Sequence, residues 1–403
     1  MSRARSISLT RVGLVVLAGL VAAVAVAGCG LNPAPTRSAS GDSPGGISAP
    51  GLASSLAVAD GASWAVVEMG GSAAQHDNFW ELFVRPGGST DWKLATPAGV
   101  ASNGGIVVAA SGPDALLTGF RPSQDLTFSP LAATTDAGQN WSQGNVLDAA
   151  LADLPGALAS GPGGRLLAIT DAGDIETGTP GGASWTRLTT TRAVAAFAAS
   201  RGCGVTSLTA AAWTPAGQPM LAGDCRIPGR AAIFVFRAGT WQPAMTSLPT
   251  AFRRQSVSVI GLNTAGSRIT AILSAGTGRS TAVLAAWSTD NGSSWTFSPP
   301  LSTGPATAGL PSVSFGADGS ASLMLPASHA VSGGAVIGWR AGWQPLPKLP
   351  TDTATLSATA TGQPEALVVR GGTLTTWQLS TSGPHPWTLL QTVHVTIPYG
   401  SSS

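Results

Sequence analysis

Residues 288–296 read STDNGSSWT, and the fold is decided by what this stretch can do. Ser288 and Asp290 stand just ahead of Gly292, with Trp295 closing the run. Short polar side chains accept hydrogen bonds from the amides of their own turn, and glycine supplies left-handed backbone at no steric cost. The indole then gives the turn a large apolar group to bury. Residues 134–141, TTDAGQNW, repeat the arrangement with Thr134, Asp136, Gly138 and Trp141. Working outward, tryptophan recurs at Trp92, Trp141, Trp185, Trp241, Trp295, Trp343 and Trp387, at gaps of 49, 44, 56, 54, 48 and 44 residues.

A second series keeps step with the first. Tight-turn motifs precede each tryptophan: ADGAS (59–63), GPDAL (112–116), GPGGRL (161–166), TPAGQP (214–219), NTAGSR (263–268), GADGS (316–320) and ATGQP (360–364). Their Gly, Asp and Asn residues suit the positive-φ positions of short hairpins. Short apolar runs flank every motif, and each repeat adds another before its tryptophan, such as FWELFV, AIFVFR and LTTWQL. About four short strands over roughly 50 residues is the size of a propeller blade. The pattern predicts an all-β chain: a seven-bladed β-propeller of four-stranded antiparallel blades over residues 51–397, about 28 strands in all, with a tail over 398–403. Blades one and seven each own four runs, so closure by packing rather than by strand exchange is expected.

Both tryptophan turns fit the S/T-x-D-x-G-x-x-W pattern of the Asp-box, or BNR repeat, and the chain here resembles sialidase-like and BNR-repeat propellers, among them the photosystem II assembly-factor type. TPGGASW (179–185) is a degenerate copy without the aspartate, so the specific motif covers two sites while the repeat covers most of the chain. The resemblance implies that the motif joins the third and fourth strands of a blade, has a structural role, and lies away from the ligand face. The loops between second and third strands and the crossovers between blades then share the opposite face. His76, Asp77, Arg121, Asp125, Asp171, Asp174, Arg226, Arg230, Arg279, His329 and Arg370 fall on those loops and are the candidate binding residues; solvated loops are the alternative reading.

Sialidases of this fold class carry a Tyr–Glu nucleophile pair, an Asp acid/base and three arginines. The one tyrosine here, Tyr399, lies in the tail, and Arg226-Ile227-Pro228 stands in the fourth repeat, not ahead of the repeats as the sialidase element does. Other hydrolases of the family pair two carboxylates, which Asp77, Asp125, Asp171 and Asp174 have the chemistry to supply although no pair is singled out. No catalytic residue is nominated. The expected function is a non-catalytic binding or assembly module for an unknown protein or glycan ligand, with a glycoside hydrolase of non-standard site residues as the alternative.

The N-terminus is an address. Arg3, Arg5 and Arg11 precede an apolar run from Val12 to Ala27, too short for an ordinary span and followed by Gly28-Cys29. Val26-Ala27-Gly28-Cys29 resembles a bacterial lipobox, which implies a signal peptide over 1–28 and a diacylglyceryl group on Cys29; an uncleaved N-terminal helix is the other reading. Residues 29–50 are rich in Pro, Ser and Gly and read as a flexible tether. The expected location is the extracytoplasmic side of the cell membrane, held by the lipid. Cys203 and Cys225 are then left as a pair, which suits an oxidising compartment and a disulfide, two free thiols being the alternative. Neither they nor the four histidines show metal-site spacing, so no metal and no cofactor is expected. Charged residues are 10% of the chain, against about 25% in ordinary domains, and the net charge is +2. Such a chain carries no electrostatic footprint for nucleic acid. A monomer is expected.

Replacing Cys29 by Ser should abolish metabolic labelling with fatty acid and leave the signal segment attached. Labelling that persists in the Cys29→Ser protein would contradict the lipobox reading.

Overall fold

Short runs rich in Val, Ile, Leu, Ala and Thr, each bounded by a glycine- or aspartate-bearing turn, fold into successive antiparallel meanders. The computed structural model describes residues 52–70, 78–97, 104–120, 131–143, 155–197, 202–245, 248–276, 281–304, 311–325, 335–339, 342–359, 362–380 and 385–396. The signal segment, Cys29 with the whole tether, and Tyr399 with the tail lie outside these residues.

The first meander is β1–β4 (Ser54–Ala57, Ser63–Gly70, Asn78–Arg85, Lys93–Leu94). The second is β5–β8 (Ile106–Ala110, Leu116–Phe120, Leu131–Thr134, Ser142–Gln143). The third is β9–β12 (Pro155–Ser160, Leu166–Thr170, Asp174–Gly178, Trp185–Thr190), followed by a single short helix, α1 (Thr191–Ala196). The fourth is β13–β16 (Val205–Trp213, Pro219–Cys225, Ala232–Arg237, Thr240–Pro243). The fifth is β17–β20 (Ser256–Ala265, Arg268–Gly276, Thr281–Ser288, Thr296–Phe297), to which β21 (Leu301–Gly304) adds by pairing with β19. The sixth is β22–β25 (Ser312–Phe315, Ala321–Met324, Ala335–Trp339, Gly342–Pro345). The last is β26–β29 (Thr353–Ala358, Pro364–Arg370, Thr373–Leu379, Trp387–His394).

Five sheets contain these strands. The sixth and first meanders share one through a parallel contact at Leu56 and Phe315, and the fourth and fifth share another through Asp224 and Ser258. The chain is all-β and propeller-like. Each glycine-bearing motif predicted as an early turn lies between the first and second strands of its meander, and each of the seven tryptophans lies at the junction of third and fourth strands. The strand β21 has no counterpart in the repeat and was not foreseen from it.

Packing explains why the second strands are almost continuously apolar. LLTGF in β6 and LLAIT in β10 are buried at every position, because both faces of their sheets are covered. Apolar clusters join neighbouring meanders: Trp64, Leu82 and Ile106 between first and second, Val107 and Leu166 between second and third, and Leu167 and Phe234 between third and fourth. Met220 and Ile269 lie in the cluster between fourth and fifth, and Ile272 and Leu323 in that between fifth and sixth, while Leu349 and Trp387 belong to a cluster of the last meander and the segment leading into it. Val67, Phe83, Leu367 and Leu374 then join the last meander to the first. Burying one such side chain is worth about 1.5–3 kcal/mol.

The seam between the last and first meanders also holds a buried ion pair. Arg85 and Glu365 form a buried ion pair across it, and the same guanidinium donates to Ser63 Oγ (3.0 Å) and to the Ala358 carbonyl (2.5 Å). Burial pushes the Glu365 carboxyl up, against the pull of Arg85. The Arg85 guanidinium lies 5.1 Å from the centre of the Trp92 ring. Gln391 bonds both the Trp92 amide (2.7 Å) and its carbonyl (2.9 Å), and Ser55 Oγ donates to the Leu356 carbonyl (2.6 Å). Among the described residues no strand passes between the two meanders: β1 pairs with β2 and touches β22, and β29 pairs with β28.

Cys203 and Cys225 form a disulfide with a Cα separation of 5.1 Å. It sits at the open end of the β13–β14 hairpin, where Val205 pairs with Cys225. Closing a loop of 22 residues contributes about 3 kcal/mol through the entropy of the unfolded chain.

The two tryptophan turns share one hydrogen-bond pattern. The Ser288 hydroxyl donates to Asp290 (2.8 Å) and accepts from the Gly292 amide (2.9 Å), while Asp290 accepts from the amides of Ser293 (3.0 Å) and Ser294 (2.9 Å). Thr134 bonds Asp136 (2.8 Å) and the Gly138 amide (3.0 Å), and Asp136 accepts from the Asn140 amide (2.9 Å). Gly292 has φ +81° and Gly138 φ +77°, values that a side chain would strain. Trp295 Nε1 donates to the Ala244 carbonyl (2.9 Å), which fastens the fifth meander to the fourth. Hydrogen bonds from Ser294, Ser288 and Ser293 hold the Asp290 carboxyl well below the usual carboxylate range, and those from Asn140 and Thr134 lower that of Asp136.

A carboxyl lowered in the folded state contributes stability that is complete above its unfolded value, near pH 4, and is lost as pH falls through the folded value. Asp290→Ala should therefore be less stable than the parent at pH 7, with the gap closing as denaturation is repeated from pH 5 down to pH 2. A gap that stays constant over that range would contradict this account.

Candidate functional site

The first strand of a meander has one face left over once its neighbours are packed, and those faces converge. A cavity of about 370 Å³ runs along β1, β5, β9, β13, β17 and β22. Its wall includes Leu56, Val58, Val108, Thr209, Asn263 and Phe315. It reaches the early turns at Ala59, Ser160, Gly266 and Ala317. No Asp, Glu, His, Cys, Tyr, Lys or Arg lines it, so the described wall offers hydroxyls, one carboxamide, backbone groups and apolar surface. Such a wall orients a ligand by shape and a few neutral hydrogen bonds. It holds no group able to take or give a proton near neutral pH.

None of these lining residues was nominated from the sequence. A signal existed, since the strand ahead of each early turn is the one that faces the axis of a propeller. The predicted residues stand elsewhere. Asp171 and Asp174 flank the β10–β11 turn, Arg226 and Arg230 lie on the β14–β15 turn, and Arg370 ends β27. The described five do not line the axial cavity. His76, Asp77, Arg121, Asp125, Arg279 and His329 lie outside the described residues.

Several of the described charges have structural partners. Asp174 pairs with Arg187 on the neighbouring strand, and Arg370 pairs with Asp352 at 2.9 Å. Burial pushes the Glu176 carboxyl up, the Asp174 charge adds to this, and Arg187 opposes it. Asp174, Glu176 and Arg187 thus form a local charge cluster on β11 and β12, with Arg187 mostly exposed at the outer edge. Burial likewise raises Glu81, whose carboxylate accepts from the Thr96 hydroxyl. Among the described residues no group of three or more His, Cys, Asp or Glu side chains is placed to hold a metal ion.

A second groove, about 560 Å³, lies on the last meander against the segment leading into it. Leu349, Trp377, Trp387 and Leu389 line it, with Lys348, Arg370 and His385 among its other walls.

No protein-family model matches the chain, and no curated protein matches it. Solved structures similar to it include YCF48 bound to D1 peptide, at 17% identity and a TM-score of 0.44, covering 78% of this chain and 88% of that one. YCF48 from Cyanidioschyzon merolae is similar at 15% identity and a TM-score of 0.45, with 78% and 92% covered. The six-bladed β-propeller lectin of Aleuria aurantia is similar at 13% identity and a TM-score of 0.39, with 73% and 96% covered. At such values the likeness carries no argument about ring size, ligand or partner in this chain.

Proposed function

We propose that the chain is a lipid-anchored, extracytoplasmic binding or assembly module whose meanders are the seven blades of one propeller ring, and that it performs no catalysis. The observation that carries this reading is the uncharged axial cavity. Glycoside hydrolysis of the usual kind needs two carboxyl groups facing one another across the bond to be cut, and the described wall has none. The occupant that fits is a neutral ligand, either a small glycan or an apolar side chain of a protein partner, held by shape and by hydroxyl and carboxamide contacts from Thr209, Asn263 and Thr264. The ring is supported by six apolar clusters that run between neighbouring meanders, one of them from the last back to the first, and by the contact of β22 and β23 with β26. The anchor is supported by the lipobox-like sequence at Val26 to Cys29.

Titration calorimetry with neutral oligosaccharides and with peptides bearing single apolar side chains tests the reading. A bound member of that panel should lose at least tenfold in affinity to Asn263→Arg, which puts a charge at the cavity wall. Neither sialosides nor other glycosides should be turned over. Turnover that disappears in Asn263→Arg would make the cavity an active site and overturn the proposal.

A further inference from the structure

The turn between β14 and β15 stands out from the end of the fourth meander and is held on both sides. The Cys203–Cys225 disulfide lies at its base. The Arg226 amide donates to the Gly204 carbonyl (2.9 Å), that of Ile227 to Cys203 (3.0 Å), and that of Gly229 to Gln255 (2.8 Å). Gly229, at φ +73°, lies so close to the crossover between β16 and β17 that a Cβ there would meet the Arg253 carbonyl oxygen at 2.1 Å. Turn and crossover are therefore one continuous surface.

That surface carries Arg226, Arg253 and Arg254, all exposed. Among the described residues their guanidinium groups make no ion pair or hydrogen bond. Arg253-Arg254 is also the one adjacent basic pair in the chain. The acids nearby are engaged: Asp224 accepts from Ser207 Oγ (2.6 Å), and Asp174 is paired with Arg187. Beside the arginines Ile227 is 41% exposed, one of five large apolar side chains so exposed among the described residues. A protruding, braced turn with an apolar tip and unpaired arginines suits a soft anionic surface better than a concave partner.

The path of the chain points the same way. First strands begin at the end of the ring where second and third strands connect, since β1 runs antiparallel to β2 and Ser54 pairs with Val66, near the Gly70 end. The chain therefore enters β1 at the end that carries Arg226 and Ile227. On the tether reading of the sequence, the 22 residues from 29 to 50 would span about 25 Å on average, short enough to keep this end near the anchor.

We propose that this arginine and isoleucine surface docks on anionic lipid headgroups of the membrane that holds the anchor, with Ile227 entering the interface and the three arginines facing phosphates. This rests on the lipid-anchor reading above. It turns the early-turn mouth of the axial cavity away from the bilayer.

The test uses the mature lipoprotein, purified in detergent and reconstituted with vesicles of phosphatidylcholine alone or with phosphatidylglycerol added. An environment-sensitive dye is attached to Ile227→Cys or, as a control at the opposite end, to Ser293→Cys. Flotation with neutral vesicles reads the anchor, and the dye reads docking. Docking predicts a several-fold rise in emission at position 227 with phosphatidylglycerol, none at 293, and loss of the rise at 1 M salt, where screening shortens to about 3 Å. The rise should also vanish when Arg226, Arg253 and Arg254 are all changed to Glu. Flotation with anionic vesicles only, together with that rise, would support docking while removing the anchor. Flotation with both vesicle types and an unchanged dye would overturn docking while leaving the anchor intact. Flotation with neither overturns both, and a rise produced by a polyglutamate peptide but not by vesicles would replace the membrane with an acidic protein partner.

Discussion

Arg85 and Glu365 stand 280 residues apart and meet inside the protein. They join the first meander to the last, which no strand ties together among the described residues. Bringing both charges out of water costs several kcal/mol each, and the pair stands only because each lone pair and donor is answered. Here the answer includes Ser63, the Ala358 carbonyl and the Trp92 ring. Such a pair gives little net stability over an apolar replacement but penalises any other partner for that seam. Other seams carry polar ties of their own, such as Trp295 to the Ala244 carbonyl and Thr270 to the Gly319 carbonyl, but among the described residues none of these is a buried ion pair. This one fixes which meander follows the last.

The cavity wall is assembled from the first strands of six meanders. β1 touches β22 directly, through Leu56 and Phe315, so β26 of the last meander stands back from the centre. The described wall is uncharged and carries small and aliphatic side chains together with Trp213 and Phe315. The described charged residues lie outside its wall, on connections, on outer edges or, as with Arg85 and Glu365, in a seam between meanders.

The order of strands and turns was legible because both depend on local chemistry. A glycine at positive φ or a serine–aspartate pair capping amides acts within five or six residues, and a tryptophan that must be buried marks the same point in every repeat. Arg85 was not legible. Following FWELFV at the end of a strand, it reads as an ordinary polar terminator, and Glu365 within PEALVV reads likewise. Their meeting depends on the last meander reaching the first, which no local pattern encodes. The cavity wall was missed for the same reason. Val108 and Thr209 differ in no local respect from other strand residues until neighbours cover every other face. β21 lies outside the repeat, in the crossover after β20, where the tryptophan spacing carries no information.

The central claim is that the first and last meanders are locked by a buried charge pair. A double-mutant cycle on Arg85→Ala and Glu365→Ala, followed by urea denaturation at pH 7, tests it most directly. Each single change should cost about 3–5 kcal/mol by leaving a buried charge without its partner. The double change should cost well under the sum, with an interaction energy above about 1 kcal/mol. Two small costs that simply add would show that the seam is not held by this pair, and the closure described above would be contradicted.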